Sequence, residues 1–386
     1  MSLRTRLAAA GFAVALGLAP YAAPAQATAP TFVFPAAGSV CAVSNDSARQ
    51  AADWLAGYWK DHKAQIGGGQ LADAIIGLSA SDSHADVVAE MIAKLKTEEY
   101  PTYGAGPAGK SIIAVAAAGE DPTNFGGRNL VTLLKDAVAD EGPQSINNLP
   151  YVILGYLRTG ETVPDALIDR AVTLQDKGGS WGYVESWKNP PAFNTDPDSS
   201  GVMIAALAGL KQSGQGGAKV SAALDKAVAW AGGAKTPGGY WDNYSPVNTT
   251  AMILQGYTAA GRTDAGALKF LRAQQQLTGT GALSNVLDGK ESNLMATTQG
   301  LVALAEDSLL TVTLDKGCGG SNESSAPATS TKPAPASSAP QTSSTPSQGQ
   351  STGGQSSSQQ STGGASTATA TTSTDNGGRP MPETGR

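Results

Sequence analysis

The stretch Leu174–Tyr183, LQDKGGSWGY, decides how the chain is read. It follows VPDALIDRAVTL, whose apolar residues recur at helical spacing. A glutamine, two glycines and an aromatic pair are not an ordinary way to leave a helix. The turn recurs. After the helical pattern KVSAALDKAVAW comes AKTPGGYWDNY, with Gly239-x-Trp241 and Lys235 where the first copy has Gln175. QQQLTGTGALSN carries a weaker third copy.

Working outward from these turns, the chain divides into two alternating classes of helix. One class is small and apolar over most of its circumference, which predicts burial on nearly all sides. It comprises QLADAIIGLSA from Gln70, GKSIIAVAAAG from Gly109, NLPYVILGYLRTG from Asn148, SSGVMIAALAGL from Ser199, NTTAMILQGYTAAG from Asn248 and NLMATTQGLVALA from Asn293. The other is amphipathic: ARQAADWLAGYW from Ala48, HADVVAEMIAKL from His84, RNLVTLLKDAV from Arg128, VPDALIDRAVTL, KVSAALDKAVAW and DAGALKFLRAQQQ from Asp264. Asp82, and Thr162 with Pro164, are the cap signals of two of these. Six buried helices alternating with six amphipathic ones suit an all-α (α/α)6 toroid, an inner ring inside an outer ring. A straight stack of pairs is the alternative. It is disfavoured because neither end pair reads as a polar cap.

The flanks differ from this segment. Arg4 and Arg6 precede the apolar run Leu7–Leu18, and Ala25-Gln26-Ala27 offers small residues for cleavage before Thr28, so residues 1–27 read as a signal peptide. Residues 28–320 form the toroid. Residues 321–380 are Ser, Thr, Pro, Gly, Gln and Ala with few charges, too poor in apolar surface to offset the ordering entropy, and are expected to be a disordered stalk. Cys41 and Cys318 are the only cysteines and sit at the two edges of the toroid segment. In an exported protein they are expected to form a disulfide, the alternative being two unrelated buried thiols. The net charge of −6 and the lack of a basic stripe argue against nucleic-acid binding. Two Cys and two His, none in a zinc spacing, give no metal site. Asp82-x-His84-x-Asp86 reads as a solvated helix start rather than a ligand set.

Gln175-x-x-x-Gly179-x-Trp181 resembles the Q-x3-G-x-W repeat of the squalene cyclase and prenyltransferase superfamily, which is built on this double ring. The resemblance implies that Gln175 caps helix ends and that a tryptophan stacks beneath it. AAGEDPTNFGGRNLVTLL is similar to secreted bacterial relatives of the cobalamin carriers, which use the same toroid. Class II cyclases of this superfamily protonate their substrate with the middle acid of D-x-D-D. Here the nearest string is Asp196-Pro197-Asp198-Ser199, one carboxylate short, and Asp198 is expected to cap the helix that follows. With 6% aromatic residues the chain is also poor in the rings that stabilise carbocations. The zinc ligands of prenyltransferases are missing, and Cys318 in G-C-G-G lacks the glutamine of a thioester.

A non-catalytic binding toroid is therefore the preferred reading, with a corrinoid (cobalamin-like) ligand implied by the carriers and no cofactor otherwise. Those carriers hold their ligand against a second, β-rich domain, whose place the stalk takes here. The inner helix N-termini should converge on one end and leave N–H groups free for a polar ligand. Tyr103, Trp181, Tyr183, Asp196, Asp198, Tyr240, Trp241 and Asn243 are the candidate binding residues. Asp196, Asp198 and Asp242 beside aromatic residues also suit a carbohydrate groove, and a rigid spacer or adhesive module is a third reading. Met381-Pro382-Glu383-Thr384-Gly385 resembles the L-P-x-T-G sorting signal. That resemblance implies joining by sortase to the peptidoglycan of a Gram-positive cell wall, and the chain is expected to be a monomer.

Overall fold

Each buried helix packs on the amphipathic helix that follows it, the last on the first, and six such pairs close into a ring. The structure is a computed structural model that describes residues 46–186 and 188–314. The expected signal peptide, the expected Cys41–Cys318 disulfide, the expected stalk and the sequence Met381–Gly385 lie outside the described residues.

The outer helices are α1 (Asp46–His62), α3 (Ala85–Leu95), α5 (Leu130–Glu141), α7 (Asp165–Thr173), α9 (Gly217–Ala234) and α11 (Ala265–Thr278). The inner helices are α2 (Gly68–Ala80), α4 (Ala105–Ala117), α6 (Leu149–Arg158), α8 (Pro197–Gln212), α10 (Pro246–Ala259) and α12 (Leu294–Leu304). Every inner helix packs on the next, and α12 packs on α2, so the ring is closed. The expected all-α toroid is what folds. One feature departs from it: Gly182–Glu185 and Ala192–Thr195 pair as an antiparallel hairpin, β1 and β2, between α7 and α8.

Small residues set the tightness of the inner ring. A Cβ on Gly155 of α6 would lie 2.9 Å from the Cα of Gly109 on α4. One on Gly77 of α2 would lie 2.8 Å from the Thr298 carbonyl oxygen of α12. These backbones touch, and any side chain would force them apart.

The glycine–tryptophan turn is the joint between pairs. Gln175 Nε2 donates to the Gly179 carbonyl at 3.0 Å and to the Ala223 carbonyl of α9 at 2.8 Å. Trp181 is fully buried and its indole N–H donates to the Ala171 carbonyl at 2.8 Å. The second copy keeps the tryptophan, with Trp241 Nε1 on the Ala231 carbonyl at 2.7 Å. There Lys235 replaces the glutamine and pairs with Asp264 at 2.5 Å. The third copy closes the circle: Gln275 Nε2 donates to the Gly281 carbonyl at 2.6 Å and to the Ser47 carbonyl of α1 at 2.7 Å. Gly179 (φ +111°) and Gly281 (φ +88°) both hold a backbone conformation that L side chains rarely adopt.

Two cap expectations fail. Asp82 is not the cap of α3; the N-cap is His84, itself at φ +54° and without a side-chain cap bond. His84 Nε2 instead bonds Asp53 Oδ1 of α1 at 2.9 Å. Thr162 is likewise displaced by Pro164 as the N-cap of α7, because Asp165 is the first residue with helical hydrogen bonding.

Replacing Gln275 with Ala strands two carbonyls at the ring closure and should cost about 2 kcal/mol in denaturant unfolding. The neighbouring Gln274 is no substitute, since its amide is already held by Asp288, whose side chain accepts from Nε2 at 3.0 Å and whose backbone N–H donates to Oε1 at 2.7 Å. The same change at the exposed Gln65 should fall within about 0.5 kcal/mol of the parent.

Candidate functional site

The alternation of helix direction gives the ring two unlike ends. Connections from outer to inner helices gather at one end, the mouth, and connections from inner to outer helices at the other, the base.

The base is sealed. Residues 307–314 cross it, and Leu309, Leu310, Val312 and Leu314 are buried there. Arg158, at the end of α6, holds the segment by donating to the Leu310 carbonyl at 2.8 Å and the Val312 carbonyl at 2.6 Å. Burial pulls the Arg158 guanidinium down to about 10, against the attraction of Asp307. The axial space above this seal, between Asp73, Tyr151, Gln255, Gln299 and Leu309, is about 10 Å³, room for roughly one water molecule.

The mouth is different. All nine exposed large hydrophobic residues among those described lie in it: Tyr103, Tyr183, Val184, Phe193, Tyr244, Leu277, Val286, Leu287 and Met295. They sit on the outer-to-inner connections or on the helix turns that flank them. Tyr244 is 93% exposed and Tyr103 72%. A concentration of apolar side chains on one face of a ring, with none on the other, marks a surface that contacts something.

Inside this apolar rim the inner helices carry a polar cluster. Lys110 Nζ of α4 lies 2.8 Å from Asp73 Oδ1 and 2.9 Å from Asp73 Oδ2 of α2, both side chains being only 14% exposed. The same ammonium sits 5.0 Å from the centre of the Tyr151 ring on α6. Burial works against the Lys110 charge, but Asp73, Tyr151 and Tyr100 outweigh it and hold the ammonium protonated well above the usual lysine range. Burial pushes the Tyr100 phenol up to about 12 and raises that of Tyr151 as well. On the other side Asn248 of α10 donates to Gln299 Oε1 of α12 at 2.7 Å. The Gln299 amide in turn faces Asp73 Oδ2 at 3.5 Å. Gln255 Oε1 is buried without a hydrogen-bond partner among the described residues.

The expected site residues divide into three groups. Tyr103, Tyr183, Asp198 and Asn243 belong to the mouth. Tyr183 accepts from Asn194 Nδ2 across the hairpin at 2.6 Å, and Asn243 and Thr249 lie beside Asp198. Asp196 reaches the mouth only as a helix cap. It accepts from the backbone of Asp198 at 3.2 Å and binds the Ser199 hydroxyl at 2.6 Å, so the cap of α8 is Asp196 and not Asp198. Trp181 and Trp241 are excluded as stacking surfaces, since both indoles are buried in the joints. Tyr240 is half-buried and stacks one face on Phe270 of the outer helix α11 at 4.8 Å. The expectation of free helix N-termini fails for four of the six inner helices, while α6 and α10 carry no side-chain cap. Glu98 accepts from Gly68 N at 2.6 Å and Glu141 from Ala105 N at 2.9 Å, while Asp196 and Asn293 cap α8 and α12.

Asp73, Lys110, Tyr151 and Gln299 are not anticipated by the sequence reading. For the first three the signal is present all the same, since Asp73, Lys110 and Tyr151 each lie in the N-terminal half of a largely apolar inner helix, whereas Gln299 follows two threonines at the middle of α12.

No protein-family model matches the sequence, and no curated protein does. Among solved structures, haptocorrin in complex with Cbi superposes with a TM-score of 0.53 at 13% identity, over 70% of this chain and 69% of that chain. The apo type II terpene cyclase MstE from Scytonema gives a TM-score of 0.45 at 14% identity, over 68% of this chain and 98% of that one. The likeness to haptocorrin shows the toroid fold. No helix among the described residues is long and apolar enough to cross a membrane.

Asp196 and Asp198 should respond oppositely to substitution. Asp196→Ala removes the cap and should cost about 1 kcal/mol. Burial, reinforced by Asp196, raises the pKa of Asp198 against the opposing effect of Thr249 and Asn243. An acid with a raised folded-state pKa binds its proton more tightly when folded. Its contribution is therefore greatest below the ordinary aspartate range and is lost as pH climbs through the folded-state value. Asp198→Asn should flatten that part of the stability–pH curve and raise the melting temperature at about pH 7, as thermal scans from acid to neutral pH would record.

Proposed function

We propose that the chain is a ligand-binding toroid whose mouth takes a broad, flat ligand with an apolar face and a hydrogen-bonding edge. The observation that carries this reading is the segregation of every exposed large hydrophobic residue among those described to the mouth, around the Asp73–Lys110–Tyr151 cluster. A corrinoid is the leading ligand. It combines a wide ring with amide-bearing edges, which suit an apolar rim that also carries hydroxyl and amide side chains such as Tyr183, Asn194 and Asn243. The haptocorrin toroid, solved in complex with Cbi, supports the same choice by its fold.

The competing readings gain less. A cyclase needs the complete D-x-D-D acid, and the nearest string here, Asp196-Pro197-Asp198-Ser199, is one carboxylate short. The carbohydrate reading loses the two tryptophans assigned to it, which are buried, and keeps only the exposed tyrosines and Phe193 of the mouth. Display at a Gram-positive cell surface by the signal peptide, stalk and MPETG motif completes the proposal.

Titrating the full chain with cobalamin, followed by gel filtration, should retain the corrin absorbance in stoichiometric amount. Tyr244→Ala, at a fully solvated position, should weaken retention about ten-fold or more without moving the melting temperature. No retention by the parent protein, or equal retention by the variant, would count against the corrinoid mouth.

A further inference from the structure

At the base, between α10, α11 and the end of α12, lies a groove of about 390 Å³ that the mouth reading leaves unused. Its floor is apolar, formed by Leu254, Leu268 and Ala303, and its rim is polar. This volume falls within the roughly 300–1,000 Å³ range of small-ligand sites.

The charges on the rim do not cancel. Asp264 is committed twice, to the backbone of Ala267 at 3.0 Å as the cap of α11 and to Lys235 at 2.5 Å. Glu306 pairs with Arg272 at 3.2 Å. Each acid therefore has its own cation outside the groove. Arg262, on the α10–α11 connection, has no ion-pair partner among the described residues, and neither the Thr258 nor the Thr263 hydroxyl has a hydrogen-bond partner among them. One surplus guanidinium and two unused hydroxyl donors thus face one apolar slot.

We infer that this groove is a binding site for a small carboxylate with an aliphatic body. The chain of the ligand lies on Leu254, Leu268 and Ala303. Its carboxylate takes the charge-assisted hydrogen bonds that Arg262 offers, with the two threonines beside it. The site is independent of the mouth, since it lies at the opposite end of the ring and shares no residue with it.

The test is a calorimetric titration of the full chain with octanoate, with octylamine as the counterpart of opposite charge. Saturable octanoate binding is expected with a Kd of about 1 mM or tighter. Arg262→Gln, at an exposed loop position, should weaken it about ten-fold with an unchanged melting temperature. The mouth variant Tyr244→Ala should bind octanoate as the parent does. The inference is overturned by non-saturable octanoate binding, by equal binding of octylamine, by an unaffected Arg262→Gln protein, or by loss of binding in Tyr244→Ala. None of these outcomes depends on whether the mouth takes a corrinoid.

Discussion

The contact of backbone on backbone between inner helices is the constraint from which the rest of the molecule follows. Gly109 against Gly155 and Gly77 against Thr298 bring neighbouring helices closer than side chains permit. Between Asp73, Tyr151, Gln255 and Gln299 the inner helices leave about 10 Å³, and the leucine-rich segment held by Arg158 covers the base below it. The exposed large apolar residues among those described gather at the opposite end, on which the proposed function rests.

Closure imposes a second demand, because a ring of pairs needs joints that fix the angle between neighbours. The repeated turn supplies them through a polar side chain that reaches across to the next outer helix. Gln175 reaches α9, Lys235 reaches α11 through Asp264, and Gln275 reaches α1. The chemistry of the link changes from amide to ammonium, whereas the positive-φ glycine is kept at Gly179, Gly239 and Gly281. Backbone geometry is the invariant part of the joint. In two copies an indole fills the space beneath it, and in the third Leu283 does so, its N–H accepted by the Thr297 hydroxyl at 3.0 Å as that of Trp241 is by Thr250 at 3.2 Å.

The ring is legible in the sequence because its two helix classes differ in composition along their whole length, and all twelve fall in the expected order. The site is only partly legible. Trp181 and Trp241 lie in glycine-rich turns, where an aromatic residue looks solvent-facing, and only the fold reveals that they point back into the joint. Asp196 is recognisable as the cap from Pro197, which favours the first helical position and so makes the residue before it the N-cap. Lys110 and Asp73 pair across two helices and are 37 residues apart, so no local pattern links them. The hairpin escapes notice because each strand is four residues long, too short for an alternation to register.

If the mouth alone receives the corrinoid, the two ends of the ring must respond differently to it. Hydrogen–deuterium exchange of the full chain with and without saturating cobalamin tests this most directly. Added protection is predicted in the outer-to-inner connections, above all residues 182–195, 243–245 and 285–287, with the base connections unchanged. Protection centred on residues 159–164 or 260–264, or spread evenly around the ring, would contradict it.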